Sequence, residues 1–219
     1  MAGRIKKREL PAVIWLAWCF MAMNAVGTAV VALRYGLPKV PFPTPLPNFY
    51  DRHGWLVAHA TISAVALLVG PWQFRAGFRE RYWSLHRVLG QIYCLAVLGG
   101  WITSLPIAAH AQTGLIATTG FLALGAVWVS TTGAGYIAVR KRRVESHQGW
   151  MIRSYSATFA AVTLRSYLPL LLVAGVPLQT CYPLVAWLCW VPNLAVAEWL
   201  IHRRRVPEQS GIALIRAMD

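Results

Sequence analysis

The sequence predicts an all-α integral membrane bundle of six transmembrane helices with both termini on the cytoplasmic side. Three observations predict it. The 219-residue chain is 57% hydrophobic and only 13% charged, too apolar for a soluble domain of its size. The apolar residues gather into six runs, each near the ~20 residues that a bilayer-crossing helix needs. The basic residues sit between those runs in short blocks, and all four blocks share one side if the runs alternate direction. The formal charge of +14 therefore reports topology and not a nucleic-acid surface.

Residues 1–10 hold Arg4, Lys6, Lys7 and Arg8 and read as a basic cytoplasmic N-terminus. A single membrane domain is expected over 11–201, with a cytoplasmic tail over 202–219. The first span, Pro11 to Leu33, has an apolar core longer than the 7–15 residues typical of a cleaved signal peptide, so it is expected to be retained. Tyr35 to Gly54 follows with five prolines and cannot continue a helix. It reads as an extended loop capping the outer face.

The second span, Trp55 to Phe74, carries His59 about one turn from its start and ends at Arg75, Arg79 and Arg81. The third, Leu85 to Ala109, opens on His86 and Arg87. The fourth, Leu115 to Val139, contains Ser130, Thr131 and Thr132 and closes on Arg140–Arg143. The fifth, His147 to Leu172, carries Arg153 and Arg165 where a spanning helix rarely carries charge. The sixth, Leu178 to Ile201, ends at Arg203–Arg205. With the basic side cytoplasmic, the termini are N-in and C-in. Four scattered cysteines form no CxxC pair and read as core packing.

The fifth span concentrates the chemistry. His147 and Arg165 are 18 residues apart, an integral number of turns, so they share a helix direction about 27 Å apart along the axis. Met151, Ser154, Thr158 and Val162 lie near the same line. Topology places His86 and His147 in one layer at the cytoplasmic boundary, beside Arg87 and Arg153. It places His59 and Arg165 in the outer half. Two imidazoles at one depth suit a b-type haem, with His86 and His147 on the iron and the two arginines on its propionates. His59 and Arg165 suit an outer pocket for a quinone or second group.

Other readings stand beside this one. A histidine or arginine at a helix start also serves simply at the headgroup level. Arg165 lies too deep for that, and leaving it unpaired costs at least ~2.5–3.5 kcal/mol. No Asp or Glu occupies the middle of a span, so its partners are expected among carbonyls, hydroxyls such as Thr131, Thr132 or Tyr167, water, or an anionic ligand. A small-molecule or anion carrier, or an assembly partner, built on Arg165 is the alternative to electron transfer. A lipid-modifying enzyme is the third reading. No paired carboxylate, G-x-S-x-G or HExxH marks a hydrolase. Several tryptophans at span ends, including Trp55, Trp83, Trp150 and Trp199, read as an interfacial belt.

The segments VAHATISAVALLVGPWQF, LHRVLGQIYCLAVLGG and SHQGWMIRSYSATFAAVTLRSYLPLL resemble the bacterial predicted membrane proteins grouped as domain of unknown function 2306. That resemblance implies a multi-pass protein of the bacterial inner membrane, with His59, His86, Arg87, His147, Arg153 and Arg165 inside the shared pattern. The layout also resembles six-helix transmembrane cytochromes b, in which histidines of the third and fifth spans bind one haem. The fourth span here has no histidine, which departs from that layout. The expected partners are the lipid bilayer and a quinone or redox protein, with no nucleic acid.

Overall fold

The computed structural model describes residues 12–37, 51–111 and 113–216. Most of the proline-rich segment after the first span, and with it the expected cap, lies outside the described residues, as do residues 1–10. The described chain runs α1 (Ala12–Leu33), a 3₁₀ turn (Arg34–Gly36), α2 (His53–Gln73), α3 (Ala76–Arg81), α4 (Trp83–Ala108), α5 (Leu115–Arg140), α6 (Val144–Thr158), α7 (Ala160–Val173), α8 (Leu178–Leu188) and α9 (Val191–Arg216). Six of the resulting segments are long and apolar enough to cross a membrane. The protein is an all-helical, multi-pass membrane protein. Exposed aliphatic and aromatic side chains on the outer faces, such as Phe20, Leu95 and Leu170, are what a bundle solvated by lipid requires.

Neighbouring spans pack antiparallel, and small residues let them approach. Trp18 Nε1 of α1 donates to the Pro71 carbonyl of α2 at 2.8 Å, and the Trp18 ring lies under the Arg75 guanidinium. Gly70 of α2 lies against the Tyr155 ring of α6, so closely that a Cβ there would overlap ring carbons. Close backbone contact through small residues is how membrane helices gain packing energy when lipid is as apolar as leucine. The core along this seam joins Tyr93, Val97, Trp128, Tyr155 and Ala157.

Two of the six expected spans are not single helices. The fifth is interrupted at Phe159, between α6 and α7, and the sixth at Cys189–Trp190, between α8 and α9. Pro192 explains the second break, because it has no N–H to continue the ladder. Carbonyls at both breaks find a shared donor. Asn193 Nδ2 lies 3.3 Å from the Ser156 carbonyl of α6 and 2.9 Å from the Cys189 carbonyl, and Thr163 Oγ1 donates to the same Cys189 carbonyl at 2.5 Å. α7 and α8 then form a hairpin whose turn uses Gly175 at φ 83°, a left-handed conformation that glycine adopts without strain.

Candidate functional site

Six helices, α1, α2, α4, α5, α7 and α8, surround a cavity of about 220 Å³ in the half of the bundle away from the basic loops, and α6 ends at its floor. Its wall is mostly alanine, leucine and aromatic rings. His59, Ser63 and Arg165 supply polar groups to it. The expected outer pair thus lines one chamber.

His59 enters from α2. Its Nδ1 lies 2.9 Å from the Gly100 carbonyl. A carbonyl only accepts, so Nδ1 carries the proton and the neutral ring keeps Nε2 as an acceptor. Arg165 enters from α7. Its Nη1 donates to the Ala161 carbonyl one turn earlier at 3.1 Å, its plane lies 5.8 Å from the Tyr35 ring, and its buried Nε has no hydrogen-bond partner. The hydroxyls Thr131 and Thr132, expected as possible partners, are engaged elsewhere, on backbone carbonyls of α5 and on Ser154. Among the described residues no carboxylate stands in the cavity wall.

The floor of the chamber is a closed hydrogen-bond ring that sequence reading did not single out. Trp128 Nε1 donates to Thr158 Oγ1 at 2.8 Å. Thr158, Tyr93, Ser154 and Thr132 then follow at 2.7, 2.8 and 2.6 Å, and Thr132 Oγ1 donates to the Trp128 carbonyl at 2.7 Å. The indole can only donate and the carbonyl can only accept, so one direction satisfies every hydroxyl once as donor and once as acceptor. Both ends are anchored on Trp128, which makes the ring a fixed brace between α4, α5 and α6.

The inner layer lies two turns below this ring. Tyr93 of α4 and Ser154 of α6 touch, and the two helices run in the same direction. Seven residues earlier, about two turns, His86 and His147 return to the same faces. His147 Nδ1 lies 2.8 Å from the Gly135 carbonyl, which again leaves Nε2 as the free acceptor. His86 stacks on Trp83 at 5.6 Å between ring centres, and its buried Nδ1 has no partner. Arg87 is exposed at the start of α4. Arg153 is held by Glu198 of α9, with Nε and Nη2 at 2.5 and 2.7 Å from the two carboxylate oxygens, and its guanidinium covers the Trp150 ring. Among the described residues no three His, Cys, Asp or Glu side chains converge on one point. His53, His110 and His202 are exposed.

The family model described as predicted membrane protein (DUF2306) matches residues 56–201, well over half of the chain. The chain belongs to this family. No curated protein and no solved structure matches it. The DUF2306 match takes in His59, His86, Arg87, His147, Arg153 and Arg165, together with Glu198, Asn193 and the whole Trp128 ring. It begins inside α2, so the wall that α1 gives to the cavity, with Thr28 and Tyr35, lies outside the matched stretch.

Two structural elements were not evident from the sequence, for separate reasons. Glu198 sits near the end of the sixth span and not in its middle, and it meets Arg153 only because α6 and α9 are neighbours. The ring hydroxyls Thr132, Ser154 and Thr158 are ordinary residues individually. Their four-residue spacing on α6 and the matching Trp128–Thr132 spacing on α5 were the available signal.

Proposed function

We propose that this DUF2306 protein is a multi-pass protein of the bacterial inner membrane, N-in and C-in, that binds a small amphiphile in the outer-half cavity. The ligand carries an oxygen acceptor on its head and an apolar body. One observation carries this reading: Arg165, whose enclosed Nε has no hydrogen-bond partner, lines an apolar chamber that His59 also lines. A cavity of about 150 Å³ suffices for benzene, so about 220 Å³ takes one substituted ring or a short chain. A quinone and an organic acid share this chemistry. Thermal unfolding of the purified protein in a neutral detergent, with menadione, decanol and decanoate, tests it. At least one of them should raise the midpoint, and Ala64→Phe, which fills the chamber, should abolish the rise. No stabilisation by any of the three would sink the reading.

A second reading has its own support in the shared face and depth of His86 and His147. These residues would hold a b-type haem, which would supply one-electron transfer to a quinone or redox partner. His147 fits the ligand role through its anchored Nδ1, and His86 through a buried nitrogen with no partner. Arg87 is the arginine left for a propionate, since Arg153 is engaged by Glu198. Reduced-minus-oxidised spectra of protein from haem-replete cells should show b-type bands that vanish in His86→Ala and His147→Ala. A colourless protein overturns it.

A further inference from the structure

We infer that the head of the cavity ligand is a monovalent oxyanion, with a carboxylate on an apolar chain as its simplest form. The inference rests on the cavity reading above and narrows it by charge. An arginine keeps its proton in any protein environment. Arg165 therefore brings one full positive charge to a chamber in the half of the bundle where alanine and leucine dominate the wall. Its neighbours do little to offset that charge. Among the described residues it has a single hydrogen bond, to the Ala161 carbonyl of its own helix, and a Tyr35 ring near its plane.

The usual escape is a buried carboxylate, and the sequence offers none nearby. The seven acidic residues of the chain are Glu9, Asp51, Glu80, Glu145, Glu198, Glu208 and Asp219. Glu198 serves Arg153, and among the described residues no carboxylate lines the cavity. The contrast within one molecule is instructive. Arg153, nearer the basic end, is given a two-point carboxylate, whereas the deeper Arg165 is not. An ionised group at this depth without a counter-charge is costly, and a bound anion removes the cost. One uncompensated charge matches one negative charge on the ligand.

The remaining geometry agrees. Arg165 lines the chamber with a guanidinium, the fork that carboxylate and phosphate oxygens accept, and among the described residues its one hydrogen bond is Nη1 to the Ala161 carbonyl. His59 Nε2 is an acceptor, so it meets a carboxylate head only through a bridging water or serves a hydroxyl elsewhere on the ligand. Ala29, Ala32, Ala64 and Leu67 give the chain of the ligand an apolar bed.

The test compares heads on a constant tail. Binding of decanoate, decanol, decyl phosphate and menadione is measured by quenching of tryptophan fluorescence in a neutral detergent, for the wild type, Arg165→Gln and Arg165→Lys. Decanoate should bind about tenfold or more tighter than decanol, the size of a charge-assisted hydrogen bond. Arg165→Gln should weaken decanoate far more than decanol and bring the two to one level, and Arg165→Lys should keep part of the preference. In the wild type, acidification that protonates decanoate should also erase its advantage, which provides a readout independent of any variant. Decyl phosphate carries more than one negative charge at neutral pH, so its exceeding decanoate there would overturn the monovalent carboxylate head and point to phosphorylated lipids. Decanol or menadione binding as tightly as decanoate would overturn the oxyanion while leaving the cavity reading intact. If none of the four binds, both fall together.

Discussion

The Tyr93 hydroxyl lies 2.7 Å from the Thr158 hydroxyl, which in turn accepts the indole N–H of Trp128. This contact joins α4 to α6 at the floor of the cavity. The ring it belongs to leaves no hydroxyl unused, in a region where water is not at hand to repair a loss. Tyr93→Phe removes one member and keeps the ring volume. Membrane hydrogen bonds average about 0.6 kcal/mol and reach about 1.7, so a loss near 1 kcal/mol is expected, read as a lower thermal midpoint. Trp128→Phe should cost a similar amount. The double variant should lose less than the two together, because both act on one cycle. Strict additivity would show that the hydroxyls act separately.

Of the described glycines, Gly70 leaves the least room for a side chain, because the Tyr155 ring of α6 lies against it. A methyl group at position 70 would occupy space already filled by the Tyr155 ring, which is itself pinned by its hydroxyl on the Leu67 carbonyl at 3.1 Å and by Phe74. The ring cannot swing away freely, so α2 and α6 must separate. Gly70→Ala should cost about 1–3 kcal/mol, the usual cost of overpacking. Gly77→Ala, where nothing lies within contact of the new Cβ, is the control and should leave the melting curve unchanged. Equal behaviour of the two variants would show that the seam is loose.

The membrane class and the number of spans were legible because they depend on composition and run length, which are local properties. So was the outer pairing of His59 with Arg165, which needs only depth within each span. The breaks at Phe159 and Cys189–Trp190 were not. An apolar run reads the same whether or not its backbone ladder is continuous, and the span containing Phe159 has no proline near the break. Its freed carbonyl is met by Asn193, 37 residues away. Glu198 was hidden for the same reason: its partner depends on which helices are neighbours, and charge counting gives sides of the membrane without giving neighbours.

Arg153 and Glu198 tie α6 to α9 near the basic end. The pair is two-point and partly exposed, with 18% and 43% of the side chains accessible. Solvent and headgroups screen it, so its coupling energy should be modest, roughly 0.5–1 kcal/mol. A double-mutant cycle of Arg153→Met and Glu198→Gln on thermal stability measures that coupling directly. If the pair were functional and not structural, Glu198→Gln would alter haem or ligand binding at unchanged stability. The geometry predicts the opposite order of effects.

Asn193 holds two broken helices with one amide. Its Nδ2 approaches the Ser156 carbonyl, the Cys189 carbonyl and the Thr163 hydroxyl, while Thr163 also donates to Cys189. Replacing it with Leu, of similar volume, leaves the Ser156 carbonyl unmet and the Cys189 carbonyl dependent on Thr163 alone. Backbone carbonyls freed inside a membrane protein must be re-satisfied or they destabilise it. Asn193→Leu should therefore cost about 1–2 kcal/mol, and Thr163→Val less, because Asn193 still serves the shared carbonyl. Combined, they should cost more than their sum, since only together do they strip Cys189 of both side-chain donors. The thiol of Cys189 reports on the same event, because it is fully buried beside the break. Its reaction with a membrane-permeant maleimide should be slow in the wild type, faster in Asn193→Leu and fastest in the double variant. Labelling rates that ignore Asn193 would mean that the two breaks are held by packing alone.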